Sequence, residues 1–399
     1  MSNPLFSPRR SVTVLVATIV GLTLLVSSCG SDSSQNTAVT PPLSETFRIG
    51  LEAPLTGSQS AVGEGMLRGA QLAATELNET GGILGKEVQI VPIDDKADPA
   101  AGEEAAKAAI AEGLDAVVGP YNSGAGAKTL PLYIDAGLVP LRLTSADSTA
   151  GLGFTLQPMT SQIAPTAVTA ITTWAGAKSV GIIYDSTQDY TKQATEAMQQ
   201  LLPPAGVTIT SSEAITPGAT SYTDALNTVL ANGPDLIYVV AYYPEAAAIA
   251  KDVVASGTSA SCLIDYGGFD SGYITAAGVP AAQRCPVVGV PAPDDFPNAA
   301  RDIEEYLELF GDAPGTWSPY TYDSVRLLAD AIARAGGADA EKLTAALSAT
   351  SGWQGWTGTV AFDPATGNRE PDPVTIMSVD ASGAFHVDTA WATAVSFGF

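Results

Sequence analysis

From Thr46 onward, short apolar runs alternate with stretches in which apolar residues recur every three or four positions. TFRIGLE (46–52) reads as a strand. A loop with Pro54 and Gly57 follows, then a helix from about Gly63 that places Met66, Ala70, Ala73 and Leu77 on one face. EVQIVPIDD (87–95) is a strand, after which Asp98-Pro99 has the form of an N-cap with proline at the first helical position. LDAVVG and LVPLRL are strands, with a helix between them from about Ser123. A second series begins near residue 178. Its strands are KSVGIIYD, GVTITSSEAI, DLIYVV and SCLID. Its helices are QDYTKQATEAMQQLL, SYTDALNTVLAN (with Tyr222, Leu226 and Val229 on one face) and PEAAAIAKDVVAS. Two further helices, at about 297–310 and 318–335, precede a strand-rich tail from about Gly358. Near-continuously apolar strands alternating with helices belong to parallel sheets covered on both faces. Two such series predict an α/β protein with two doubly wound lobes. Ligands of open α/β sheets bind beyond the carboxyl ends of the strands, so the strand-to-helix loops are where chemistry is expected.

Ahead of residue 45 the pattern is different. Arg9-Arg10 precede SVTVLVATIVGLTLLVSS, an apolar run that ends at Cys29. A basic start, a short hydrophobic stretch and small residues before a cut site describe a secretory signal. The rival reading, a membrane span, needs about 20 apolar residues; this run falls short and is followed by Gly-Ser-Asp-Ser-Ser. Val26-Ser27-Ser28-Cys29 resembles the lipobox of bacterial lipoproteins. That resemblance implies a signal peptide over 1–28, acylation of Cys29, and a chain anchored outside the cytoplasm by lipid. Residues 29–44, rich in Ser, Thr and Pro, read as a flexible tether. An exported chain folds in an oxidising compartment, so Cys262 and Cys285 are expected to form a disulfide; two separately buried thiols are the alternative.

The composition narrows the function. Hydrophobic residues make up 46% and charged residues 15%, a globular mixture. Lys plus Arg number 18 against 42 Asp plus Glu, a net charge of −24, which repels nucleic-acid backbones and anionic lipid. With His386 as its one histidine, the chain has no multi-histidine metal site, and that residue falls in a turn and edge strand rather than a catalytic setting. No G-x-S-x-G elbow occurs. GPYNSGAGAK at 119–128 has Ala125 where a P-loop needs lysine, GEGMLRG misses G-x-G-x-x-G by one position, and DDKAD lacks the pattern of a calcium loop. Neither catalysis, a cofactor nor a metal is expected.

The segments IGLEAPLTG…GEGMLRGAQLAATELNETGGILGKEVQIVPIDDKADP, VVGPYNSG, GIIYDSTQDY, VVAYYPE and YTYDSVRLLADA resemble, in order and spacing, the branched-chain amino-acid binding proteins of ABC importers, over residues 46–390. The resemblance implies a type I periplasmic-binding fold. Its lobes, 45–160 with 292–371 and 161–291 with 372–399, are joined by three crossovers and close on a ligand that is handed to a permease. It further implies that Ser123, with the Gly124 and Ala125 amides at a helix start, holds a ligand carboxylate, where the helix dipole assists. Thr144 and Ser145 fall in the second anchoring loop, and Tyr190 and Tyr242 match aromatic residues of the cleft. The chain departs from the family in three places. The first-loop tyrosine is Val62. The ammonium-pairing glutamate falls on Tyr266, with Asp265 beside it. Ala97 and Asn122 stand where the family has an amino-terminal disulfide. An ammonium in a dry cleft needs a counter-charge; Asp265 is the first choice and Asp147 the second. The expected ligand is an amino acid. The alternatives are an amide, urea or small carboxylate on the same fold, or a sensory lipoprotein that presents its ligand to a receptor.

Overall fold

A computed structural model describes residues 46–296 and 299–396. The signal peptide, the tether and Cys29 lie outside them.

The first series of elements is β1 (Thr46–Ala53), α1 (Ser60–Glu79), β2 (Glu87–Asp94), α2 (Pro99–Glu112), β3 (Ala116–Val118), α3 (Ser123–Asp135), β4 (Pro140–Arg142) and β5 (Phe154–Thr155). Its strands form a parallel sheet in the order β2-β1-β3-β4-β5. The anticipated start of α2 is present: the Asp98 carboxylate accepts from the amides of Ala100 (2.9 Å) and Ala101 (2.8 Å), with Pro99 beginning the helix. Met66, Ala70 and Ala73 of α1 are wholly buried.

The second series is α4 (Thr160–Thr169, which widens into a π-helical turn at Ala170–Trp174), β6 (Ser179–Asp185), α5 (Asp189–Leu201), β7 (Thr208–Ile215), α6 (Thr223–Ala231), β8 (Leu236–Val240), α7 (Tyr243–Ser256), β9 (Ser261–Ile264), α8 (Ser271–Ala277), α9 (Val279–Arg284) and β10 (Val287–Gly289). After these come α10 (Ala299–Phe310), α11 (Ser318–Ala335), α12 (Ala340–Ser348), the antiparallel trio β11 (Trp353–Gly355), β12 (Gly358–Phe362) and β13 (Arg369–Glu370), then β14 (Thr375–Val379), β15 (Phe385–Val387) and α13 (Thr389–Val395). The second large sheet runs β15-β14-β10-β9-β8-β6-β7. Every residue of β8 is buried, as a central strand covered on both faces requires, and each such side chain contributes roughly 1.5–3 kcal/mol by leaving water. The edge strand β7 is half-exposed along most of its length.

This sheet departs from the all-parallel expectation at one edge: β14 and β15 are antiparallel. The reason is local. The chain re-enters the sheet from β13 and turns straight back at Asp380–Gly383. There the Asp380 carboxylate collects the amides of Ser382 and Ala384, and Gly383 takes a φ of +87°. His386 lies in β15, on the edge of the sheet. The helix α11 packs on α1 and touches β3, and Thr155 of β5 pairs with Asn368, so the segment from α10 to β13 builds onto the first sheet. The chain thus passes between the two sheets after β5, after β10 and after β13. A disulfide joins Cys262 of β9 to Cys285, just before β10, with a Cα–Cα distance of 4.8 Å.

In each sheet one neighbouring pair of strands has helical connections leaving to opposite sides: β1 and β3 in the first, β6 and β8 in the second. Such switch points leave a crevice at the carboxyl ends. The loops that follow β3, β4, β6, β8 and β9 come together between the two sheets.

Candidate functional site

The loop after β3 turns at Gly119, whose φ of +96° and approach to the Glu52 carbonyl (2.1 Å from where a Cβ would stand) exclude a side chain. The chain then presents Tyr121, Asn122 and Ser123 at the start of α3. The Asn122 side chain does not cap this helix; it donates to Gln59 Oε1 at 3.0 Å instead. The first-turn amides of α3 therefore keep their hydrogens free, at the positive end of the helix dipole. Ser123 Oγ accepts from the Ala146 amide at 3.1 Å, which leaves its own hydrogen to donate.

From the loop after β4, Ser145 Oγ donates to Gln157 Oε1 at 3.2 Å. From the opposite sheet, Tyr266 Oη donates to the same oxygen at 3.3 Å. Gln157 is buried and its Nε2 has no hydrogen-bond partner, so an amide donor stands unused in a place where leaving it so is costly.

The second sheet contributes Tyr190 from the start of α5, Tyr242 from the loop after β8, and Tyr266 with Gly267 from the loop after β9. Aromatic side chains follow one another around the site. Tyr190 to Tyr242 is 6.2 Å between ring centroids, Tyr242 to Tyr121 is 6.1 Å, Tyr121 to Trp317 is 5.6 Å and Trp317 to Tyr266 is 5.7 Å. The Tyr190 ring closes the circuit against Gly267, where a Cβ would stand 3.1 Å from it. Burial pushes the phenols of Tyr121, Tyr190, Tyr242 and Tyr266 upward, so all four stay neutral.

Within this collar is a hollow of about 10 Å³, lined by Tyr121, Ser123, Leu143, Ser145, Gln157, Tyr190, Tyr242, Tyr266 and Gly267. Among these described residues none is Asp, Glu, Lys, Arg or His. The expected residues Ser123, Ser145, Tyr190, Tyr242 and Tyr266 are brought together. Gly124 and Ala125 are not in the lining, although their amides belong to the open first turn of α3. Thr144 turns away: its hydroxyl meets Thr149 Oγ1 at 2.7 Å and its carbonyl accepts from Arg142 at 3.1 Å.

Asp265 does not reach the hollow, contrary to the direct contact with an ammonium expected from the sequence. It is buried behind Tyr190, whose Oη donates to its Oδ2 at 2.7 Å. Tyr238 donates to Oδ1, and the Gly267 amide approaches Oδ2 at 3.4 Å. Burial raises its pKa, and these donors oppose the rise. Asp147 is also outside; its Oδ1 accepts from the amide and hydroxyl of Ser161. Val62 is buried in α1 and absent from the lining. Tyr121, Leu143, Gln157 and Gly267 were not anticipated. Tyr121 could have been found, because it follows β3 by three residues and precedes Ser123 by two. Gln157 follows β5, a strand too short to show in the pattern.

The profile of the periplasmic binding protein family matches residues 46–384. The chain belongs to that family. Its members are substrate-binding proteins, which places this one outside the cytoplasm. The Leu/Ile/Val-binding protein BraC3 of Rhizobium johnstonii is 30% identical over 321 residues, covering 78% of this chain and 85% of that protein. Among solved structures, the leucine binding protein LivK of Thermotoga maritima superposes with a TM-score of 0.79 at 24% identity, over 86% of this chain and 98% of its own. The branched-chain amino acid transporter substrate binding protein LivJ of Streptococcus pneumoniae, in complex with isoleucine, gives 0.76 at 24% identity, over 86% and 99%. These likenesses establish the type I fold for this periplasmic binding protein.

Proposed function

We propose that this protein is the receptor of an ABC importer. It captures a small amino acid between its two lobes, closes over it, and delivers it unaltered to a permease. The observation that carries the reading is the convergence of loops from both sheets on one small hollow with donors at one end and rings around it. The uncapped start of α3, the Ser123 hydroxyl and the free Gln157 amide suit a carboxylate; the tyrosine collar and Leu143 suit an apolar body. Relatives named for leucine, isoleucine and valine support the ligand class. The lobes are taken as 45–160 with 292–371 and 161–291 with 372–399, with three crossovers as hinge. Cys29 is taken as the lipid anchor that holds the body at the outer side of the cell membrane, with residues up to 44 as tether.

A second reading, a small carboxylate or amide without an ammonium, is favoured by one observation: no charged side chain stands among the described residues of the lining. A thermal-shift screen against amino acids, their deaminated analogues and small amides separates the readings, because a bound ligand raises the melting temperature by mass action. Stabilisation by amino acids is the expected result. Stabilisation by amides or simple acids alone supports the second reading, and no stabilisation by any of these compounds contradicts both.

A further inference from the structure

Two halves that part and close uncover and bury whatever stands between them, and a carboxylate in that place changes its hold on a proton each time. Asp265 is not in that place: it is enclosed with Tyr190 and Tyr238 on its own side. Nor are Glu52 and Asp95, which lie under α3 beside Thr129 and Tyr133. Asp270 is. It immediately precedes α8, on the side of the seven-stranded sheet, and is 3% exposed. The next residue, Ser271, donates its amide to Thr316 Oγ1 at 2.9 Å. Thr316 belongs to the other half: Gly315, just before it, packs on Gly65 of α1, whose Cα lies 3.4 Å from where a Cβ on Gly315 would stand. On the other flank, the Asp270 carboxylate and the Tyr243 ring both abut Gly272, at 2.9 Å and 2.8 Å from where its Cβ would stand. Tyr243 Oη in turn donates to the Ser58 carbonyl, in the loop after β1. Tyr121, from the loop after β3, stands near enough for the Asp270 charge to act on its phenol.

The hydrogen bond that the structure gives this carboxylate comes from the Gly272 amide to Oδ1, at 2.7 Å. Among the described residues no cation pairs with it. The titratable groups that face it are the phenols of Tyr121 and Tyr243, both neutral, and no charged side chain acts on it. A buried carboxylate with so little support is expensive to keep ionised. Burial pushes Asp270 up to about 7, against the pull of the Gly272 amide. Once the halves part and water reaches it, an ordinary aspartate ionises near pH ~4.

We propose that Asp270 is a proton-operated latch between the two lobes: they close on it as the neutral acid and part when it ionises. This rests on the two-lobe reading of the chain and goes beyond it. From about pH 4 to about pH 7, closing takes up one proton, so each rise of one pH unit in that range disfavours the closed form by up to about tenfold. Below that range Asp270 is neutral in both forms, above it ionised in both, and the dependence levels off. Acid therefore favours capture, and a return to neutral pH favours release.

The test is small-angle X-ray scattering of the purified, ligand-free protein from about pH 5 to about pH 8.5, at constant ionic strength so that the screening of its net charge of −24 does not vary. The latch predicts a radius of gyration that grows as the pH rises toward about 7 and is level above it. Asp270→Asn should keep the compact value at every pH, since asparagine still caps α8 and does not titrate. Asp270→Ser, another capping residue without a charge, should do the same and carries the test if circular dichroism shows the asparagine variant unfolded. A radius that does not change with pH in the unaltered protein, whether compact or extended, overturns the latch. So does the same rise in either variant. Both of these results leave the solute-binding reading intact, because that reading stands or falls on the thermal-shift screen.

Discussion

The two walls of the hollow divide recognition between them. The wall built by the five-stranded sheet is polar: the start of α3, Ser123 and the Gln157 amide present donors. The wall built by the seven-stranded sheet is aromatic: Tyr190, Tyr242 and Tyr266 present rings, and the Asp265 carboxyl is set behind Tyr190. Neither wall offers a complete site. A solute with a carboxylate and an apolar body satisfies both only when the walls are together, so differential affinity for the closed form is built into the division. Hydrogen bonds already cross the gap, one of them from the Asp147 amide to Gln193 Oε1. Tyr266 donates to Gln157, Tyr243 Oη donates to the Ser58 carbonyl at 2.8 Å, and the Ser271 amide donates to Thr316 Oγ1 at 2.9 Å.

The comparison is broken most severely at Trp317. This wholly buried side chain lies where rings of both walls meet, against Tyr121 from one and Tyr266 and Phe269 from the other. Trp317→Ala is expected to cost about 3–5 kcal/mol of stability, read from denaturant unfolding, and to abolish ligand-induced stabilisation. A cost under about 1 kcal/mol would mean that the ring circuit does not join the walls. Ser123→Ala attacks the polar wall alone. It should weaken binding by about 1–3 kcal/mol in calorimetry, equally for an amino acid and its deaminated acid, since both carry the carboxylate. Unequal losses would show that the polar wall does more than hold an anion. The smallest effect is expected from Tyr266→Phe, which keeps the ring and removes the hydrogen bond to Gln157 across the gap. A loss of about 0.5–1.5 kcal/mol in affinity is expected, chiefly as faster dissociation in stopped-flow measurements. An unchanged off-rate would remove that bond from the forces that hold the lobes together.

The sequence showed the three tyrosines of the aromatic wall, and Ser123 and Ser145 but not Gln157 of the polar one; for Ser123 the reason is physical. Ser123 sits where a strand ends and a helix begins, a change of period that the chain displays openly, and Asp98-Pro99 announces α2 in the same way. The central strands β1, β6 and β8 were legible because strands covered on both faces must be apolar throughout. Short elements such as β5, β10, α8 and α9 carry too few residues for a period to emerge, so Gln157, which follows β5, went unseen. Asp265 stood out in the sequence as an acid after β9, but its direction could not be read. Whether its carboxylate faces the hollow or its floor depends on Tyr190 and Tyr238, 75 and 27 positions away in the chain. The antiparallel edge β14–β15 was hidden for a similar reason: a hairpin reverses the chain after a crossover, and local pattern does not reveal which neighbour a returning strand will find.

The central claim is that this hollow captures a small metabolite and releases it unaltered. It is tested most directly by titrating the purified protein with the solute that stabilises it best, then denaturing the complex and identifying the released compound by mass spectrometry. The account predicts saturable one-to-one binding and recovery of the compound unchanged. Absence of saturable binding, or recovery of a chemically altered product, would contradict it.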